Sequence, residues 1–178
     1  MPVRDEVVQA LRSQLAAESD ADLEESARLM LTAERTSGTD GLGELMYAAF
    51  KCAVRDRWAA GWARQDIIWF VANLRGSTDE AAKEINATAA ENQLRLALGD
   101  PVAPYPDMEA RGQAQFFLLL ALTADYTTED LGVLMAEARL VADEYLASSP
   151  RLVHPTPDGQ ACGFDDHRWV NRAGRSAS

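Results

Sequence analysis

Phe116-Phe117-Leu118-Leu119-Leu120-Ala121-Leu122 is a run of seven apolar residues in a chain of 178. Seven residues cannot cross a bilayer, which takes about 20. A stretch that is apolar on every side belongs to a helix enclosed by other helices. The run therefore predicts a helix near 107–124, the sixth in the chain, at the centre of an all-α bundle.

Both flanks support that reading. Upstream, Asp100-Pro101-Val102-Ala103-Pro104-Tyr105-Pro106 cannot be helical, because three prolines fix φ and remove donors. Downstream, Leu131, Leu134, Met135, Ala138, Val141 and Tyr145 recur at helical spacing and predict a seventh helix near 128–147, capped by Thr127 or Thr128.

The same period continues toward the N-terminus. Val3, Val7, Leu11 and Leu15 step by four and predict a helix near 3–18. Leu23, Ala27, Met30 and Leu31 suggest the apolar stripe of a second, near 22–35, with Glu24, Glu25 and Arg28 on its solvent face. After the breaker Thr36–Gly41, the residues Leu42, Leu45, Met46, Ala49, Phe50 and Ala53 predict a third helix near 42–58. Gly61 marks a turn, and Ile67, Ile68, Phe70, Val71 and Leu74 predict a fourth helix near 63–75, stopped by Gly76. Ser77 and Glu80 have the spacing of a capping box. They open an Ala-rich fifth helix expected to run unbroken from 78 to 98.

Strand patterns and internal repeats are absent. The expected architecture is a single-domain bundle of six or seven helices over 1–147, followed by an irregular tail over 148–178. That tail is rich in Pro, Gly and polar residues and is too short to build its own core. Its Phe164 and Trp169 are apolar enough to dock it on a surface.

The composition narrows the function classes. The net charge is -11, which disfavours a nucleic-acid or anionic-membrane role. The first residues, Met1-Pro2-Val3-Arg4-Asp5-Glu6, carry charges where a secretory signal needs an apolar run. Two cysteines, Cys52 and Cys162, are too few for a disulfide framework. A cytoplasmic protein is expected. Fifteen of the seventeen basic residues are Arg, a usage expected of a GC-rich bacterial genome.

One segment departs from the acidic average. Residues 41–76 carry five bases against three acids, with three of the four tryptophans. Lys51, Arg55, Arg57, Trp58, Trp62, Arg64 and Trp69 all fall within it. Trp and Arg are the residues most enriched at binding hot spots. The two helices over 42–75 also have the outline of a helix-turn-helix. Five consecutive apolar residues from Ile67 to Val71, however, leave little polar surface to read base edges.

Other constellations are weaker. Cys162-Gly163-Phe164-Asp165-Asp166-His167 gathers potential metal ligands, but the only other imidazole is His154 and no finger spacing occurs. No Glu-x-x-His pair supports a bundle di-metal site. Glu80 and Glu84 read as a solvated helix face. Both histidines lie in the tail, so the predicted bundle holds no imidazole to activate Ser or Cys. Phosphate-binding and nucleophile-elbow motifs are missing. No cofactor, metal or catalytic residue is expected.

The expectation is a non-enzymatic helical module that binds a protein partner or itself, as a homodimer. Its candidate interaction residues are Arg55, Trp58, Trp62, Arg64, Trp69, Phe164 and Trp169. Two alternatives stand beside it. One is a nucleic-acid-binding regulator using 42–75. The other is a bundle, or an enzyme without a recognisable motif, that takes a small molecule near Phe116–Leu122.

Overall fold

The computed structural model describes residues 2–37 and 41–148, and these form an all-helical bundle. Its elements are α1 (Asp5–Leu15), α2 (Asp20–Ser37), α3 (Leu42–Arg57), α4 (Arg64–Arg75), α5 (Asp79–Glu84), α6 (Ala87–Ala97), α7 (Met108–Thr123) and α8 (Thr128–Ser148). Phe164 and Trp169, with the rest of the tail from 149 on, lie outside the described residues.

The helix boundaries follow local chemistry. Ser19 and Asp22 bond reciprocally at the start of α2, as Thr127 and Asp130 do at the start of α8. Gly99, at φ +82°, ends α6 in a left-handed conformation that a Cβ would strain. The proline-bearing loop before α7 is held by Asn92. Its amide donates to the Ala103 carbonyl (2.7 Å) and accepts from the Tyr105 N–H (3.2 Å).

The unbroken helix expected over 78–98 is instead two, α5 and α6. Ile85 is extended at φ -94°, ψ 111°, and its side chain is buried. The Asn86 side chain accepts the Ala89 N–H and opens α6 as an N-cap. A cap bond and a buried Ile at the joint together override the helix propensity of the alanines. The cap of α5 is Thr78, which accepts from Ala81; the Ser77 hydroxyl donates back to the Leu74 carbonyl.

The centre of the bundle is α3 rather than the helix of the apolar run. It packs chiefly on α8 and α7, and also on α6 and α1. Leu45, Ala48, Ala49, Phe50, Cys52, Ala53 and Val54 are all buried on it. Small residues let neighbouring helices approach closely, which a run of Leu and Phe does not. On α7, Leu118, Leu119 and Leu122 are buried, whereas Phe116, Phe117, Leu120 and Ala121 are only partly covered. The inner face of α2 also differs from expectation. Leu23 and Leu31 point outward, and Ser26 and Ala33 are buried instead. The Ser26 hydroxyl is satisfied by Gln14 Oε1 at 2.8 Å.

The N-terminal segment is clasped to α8. Val3 is buried; its N–H donates to Asp143 Oδ1 (2.6 Å) and its carbonyl accepts from Arg139 Nη2 (2.9 Å). Arg139 also pairs with Asp5 (2.6 Å). Gly41, at φ +100°, passes beside this clasp, where an added Cβ would sit 3.7 Å from Val3 Cγ2.

No helix among the described residues is long and apolar enough to cross a membrane.

Candidate functional site

The Arg/Trp segment divides between two surfaces. The first is a half-open cleft of about 430 Å3 at the C-terminal end of α3, where α6 and α8 converge. Lys51, Cys52 and Arg55 on one face of α3, with Trp58 just past its end, form one wall. Ala97 and Leu98 close it from the end of α6, and Val141 from α8.

The two cations of this wall are one helical turn apart and are held differently. Arg55 forms an ion pair with Glu137 of α8, and its guanidinium lies 4.0 Å from Cys52 Sγ. The Lys51 ammonium donates to Tyr145 Oη at 3.3 Å. It also stands 5.9 and 6.0 Å from the ring centroids of Tyr47 and Tyr145, the outer edge of cation–π range.

Trp58 links the cleft to α4. It meets Phe70 edge to face, with centroids 5.6 Å apart at 82°, and the Arg57 guanidinium lies 4.8 Å from the Phe70 centroid. The main helix partners of α4 are α6 and α5.

The second surface is the outer face of α4. Ile67 and Val71 are buried, and Phe70 and Leu74 pack against the core. The opposite side exposes Arg64, Gln65, Ile68, Trp69, Ala72 and Asn73. Trp69 is 60% exposed and Ile68 is 42% exposed. Trp62, in the turn before α4, is half-buried against the core.

Titration behaviour bears on the chemistry. Burial pushes the Cys52 thiol up, reinforced by Glu137 and opposed by Arg55 and Lys51. A protonated, buried thiol is a poor nucleophile. Among the described residues no group of three His, Cys, Asp or Glu side chains could hold a metal ion. Cys162, Asp165, Asp166, His167 and His154 lie outside those residues.

Burial, with the nearby Tyr145, pushes Tyr47 up to about 12. Burial and the hydrogen bond its hydroxyl donates to Asp56 also push Tyr126 up. Raised tyrosines favour the neutral form in the folded state. Their contribution is complete below the ordinary phenol value of 10.0 and is lost as pH rises through the folded value. The urea midpoint should therefore hold to about pH 10 and fall toward about pH 12. In Tyr47→Phe the fall should be shallower; an equal fall in both proteins would remove Tyr47 from this account.

Arg55 and Trp58 thus share the cleft, Arg64 and Trp69 share the outer face of α4, and Trp62 belongs to neither. The candidate interaction residues named from sequence did not include Tyr47, Cys52, Glu137, Leu98, Val141 or Tyr145, although Val141 and Tyr145 stood on the predicted stripe of the last helix. Tyr47 and Lys51 at i, i+4 were a readable local signal; the groups on α6 and α8 arrive only through tertiary packing. No protein-family model matches this chain, and neither curated proteins nor solved structures yield a match to it.

Proposed function

We propose that this chain is a helical interaction module that self-associates through the outer face of α4. The observation that carries the reading is Trp69, a large aromatic left 60% exposed on a helix whose other side is anchored in the core. With Ile68 and Ala72 it forms a continuous apolar strip flanked by polar residues, the pattern of an interface centre with its rim.

A second copy suits this strip. In an antiparallel two-fold pairing centred between Ile68 and Trp69, Ile68 of each copy meets Trp69 of the other, and Ala72 meets Gln65. Arg64 then lies across from Asn73 of the second copy rather than from another cation. A parallel pairing would oppose Arg64 to Arg64. The net charge of -11 also weighs for a protein partner over a phosphate backbone.

Light scattering behind size exclusion, on the full chain over a range of concentrations, tests the reading. The expected result is a concentration-dependent dimer. Trp69→Ala should weaken it by about 30-fold, as loss of a hot spot does. Trp69→Glu should leave a monomer that melts cooperatively at the temperature of dilute, dissociated wild type, because little of the side chain is in the core. A wild-type chain monomeric at every concentration would overturn the proposal, as would a Trp69→Glu dimer of undiminished affinity.

A further inference from the structure

We infer that the cleft between α3, α6 and α8 is a binding site for a small organic anion with a flat apolar body, of the aromatic carboxylate class. Three features carry this. The first is space: about 430 Å3 lies within the range of small-molecule sites and admits one or two rings. The second is the lining. Trp58, Leu98 and Val141 offer apolar surface to a ring, while the charged groups lie together on α3.

The third feature is charge. Lys51 and Arg55 sit at i and i+4, a spacing at which like charges repel. Glu137 compensates Arg55. Among the described residues no carboxylate pairs with Lys51; its neighbours are the Tyr145 hydroxyl and two ring faces. None of these three neighbours is a carboxylate. A carboxylate seated there would gain a charge-assisted hydrogen bond from Lys51 and reach the guanidinium of Arg55 one turn along. Binding is non-covalent, since Cys52 is buried against the wall as a thiol.

Glu137 gives the site a directional signature. It competes with the ligand for Arg55, so removing its charge should tighten anion binding. A purely structural ion pair predicts no such gain.

The experiment is a titration of the isotopically labelled full chain with 1-naphthoate, followed by amide chemical shifts, with neutral 1-naphthamide as control. Naphthoate should give saturable shifts centred on residues 51–59, 97–98 and 141, with Kd on the order of 10–1000 µM. Lys51→Gln should weaken it by about fivefold or more, and Glu137→Gln should tighten it several-fold. Val141→Trp, which fills the cleft and keeps both cations, should abolish it.

Equal binding of naphthamide would overturn the inference, as would shifts centred elsewhere or no saturable shifts. Should Lys51→Gln fail to fold, Glu137→Gln decides. Tightening supports the site, and unchanged or weaker affinity overturns it. None of these readouts depends on the oligomeric state, so the α4 proposal and this one can fail separately.

Discussion

Leu118→Asp yields a chain without a cooperative melting transition. Leu118 is fully buried on α7, which packs against α3 and α6. A carboxylate placed there is either ionised in an apolar interior or protonated with its hydroxyl unpaired. Either form costs several kcal/mol, on top of the packing lost with the leucine. A domain of this size has only about 5–15 kcal/mol of net stability, so the folded state is no longer the majority species. Leu118→Ala is the comparison. It loses packing alone, at about 2–5 kcal/mol, and should still melt cooperatively at a lower temperature. Far-UV circular dichroism with a thermal scan reads both. A soluble Leu118→Asp chain with wild-type helicity and melting would contradict the burial on which the bundle rests.

The second large effect is at Phe50, one of the largest fully buried side chains and part of the central helix α3. Phe50→Ala should lower the free energy of unfolding by about 3–5 kcal/mol, through lost transfer energy and the cavity left behind. The cavity will not collapse easily, because α3 is held by helices on several sides. In urea the midpoint should fall while the slope stays constant, since the surface exposed on unfolding hardly changes. A cost below about 1 kcal/mol would mean that the neighbours relax into the space, as they do at peripheral sites.

These two positions show which parts of the fold were legible. The helical period of α3 and α8 was plain, because their stripes pair large apolar residues at i, i+3 and i+4. The rank of the helices was not. Hydropathy singles out 116–122, yet the centre is the helix whose alanines permit close approach. For the same reason α2 was read on the wrong face: Leu23 and Leu31 outweigh Ser26 and Ala33 in any apolar count, but the latter pair is buried. The break at Ile85 had one local sign, the capping residue Asn86, hidden within a stretch of strong helix formers.

The candidate surfaces were half legible. Clustering of Arg and Trp in 41–76 marks a segment that lines part of the cleft and carries the exposed face of α4. Which tryptophan faces solvent depends on what covers α4, and α5 and α6 do so on the side of Ile67 and Val71. The cleft needs Leu98 and Val141, far from Lys51 in sequence. Local patterning carries no record of such a meeting.

The clasp of Val3 on α8 joins residues 140 positions apart. During synthesis the first residues leave the ribosome long before Asp143 exists. At about 5–20 residues per second the interval is roughly 7–30 s. Through that time Val3 has no α8 to cover it, and neither Asp143 nor Arg139 is there to bond its backbone. The last step in closing this bundle therefore belongs to its first residues, and a nascent chain halted before α8 would present them to whatever waits at the tunnel exit.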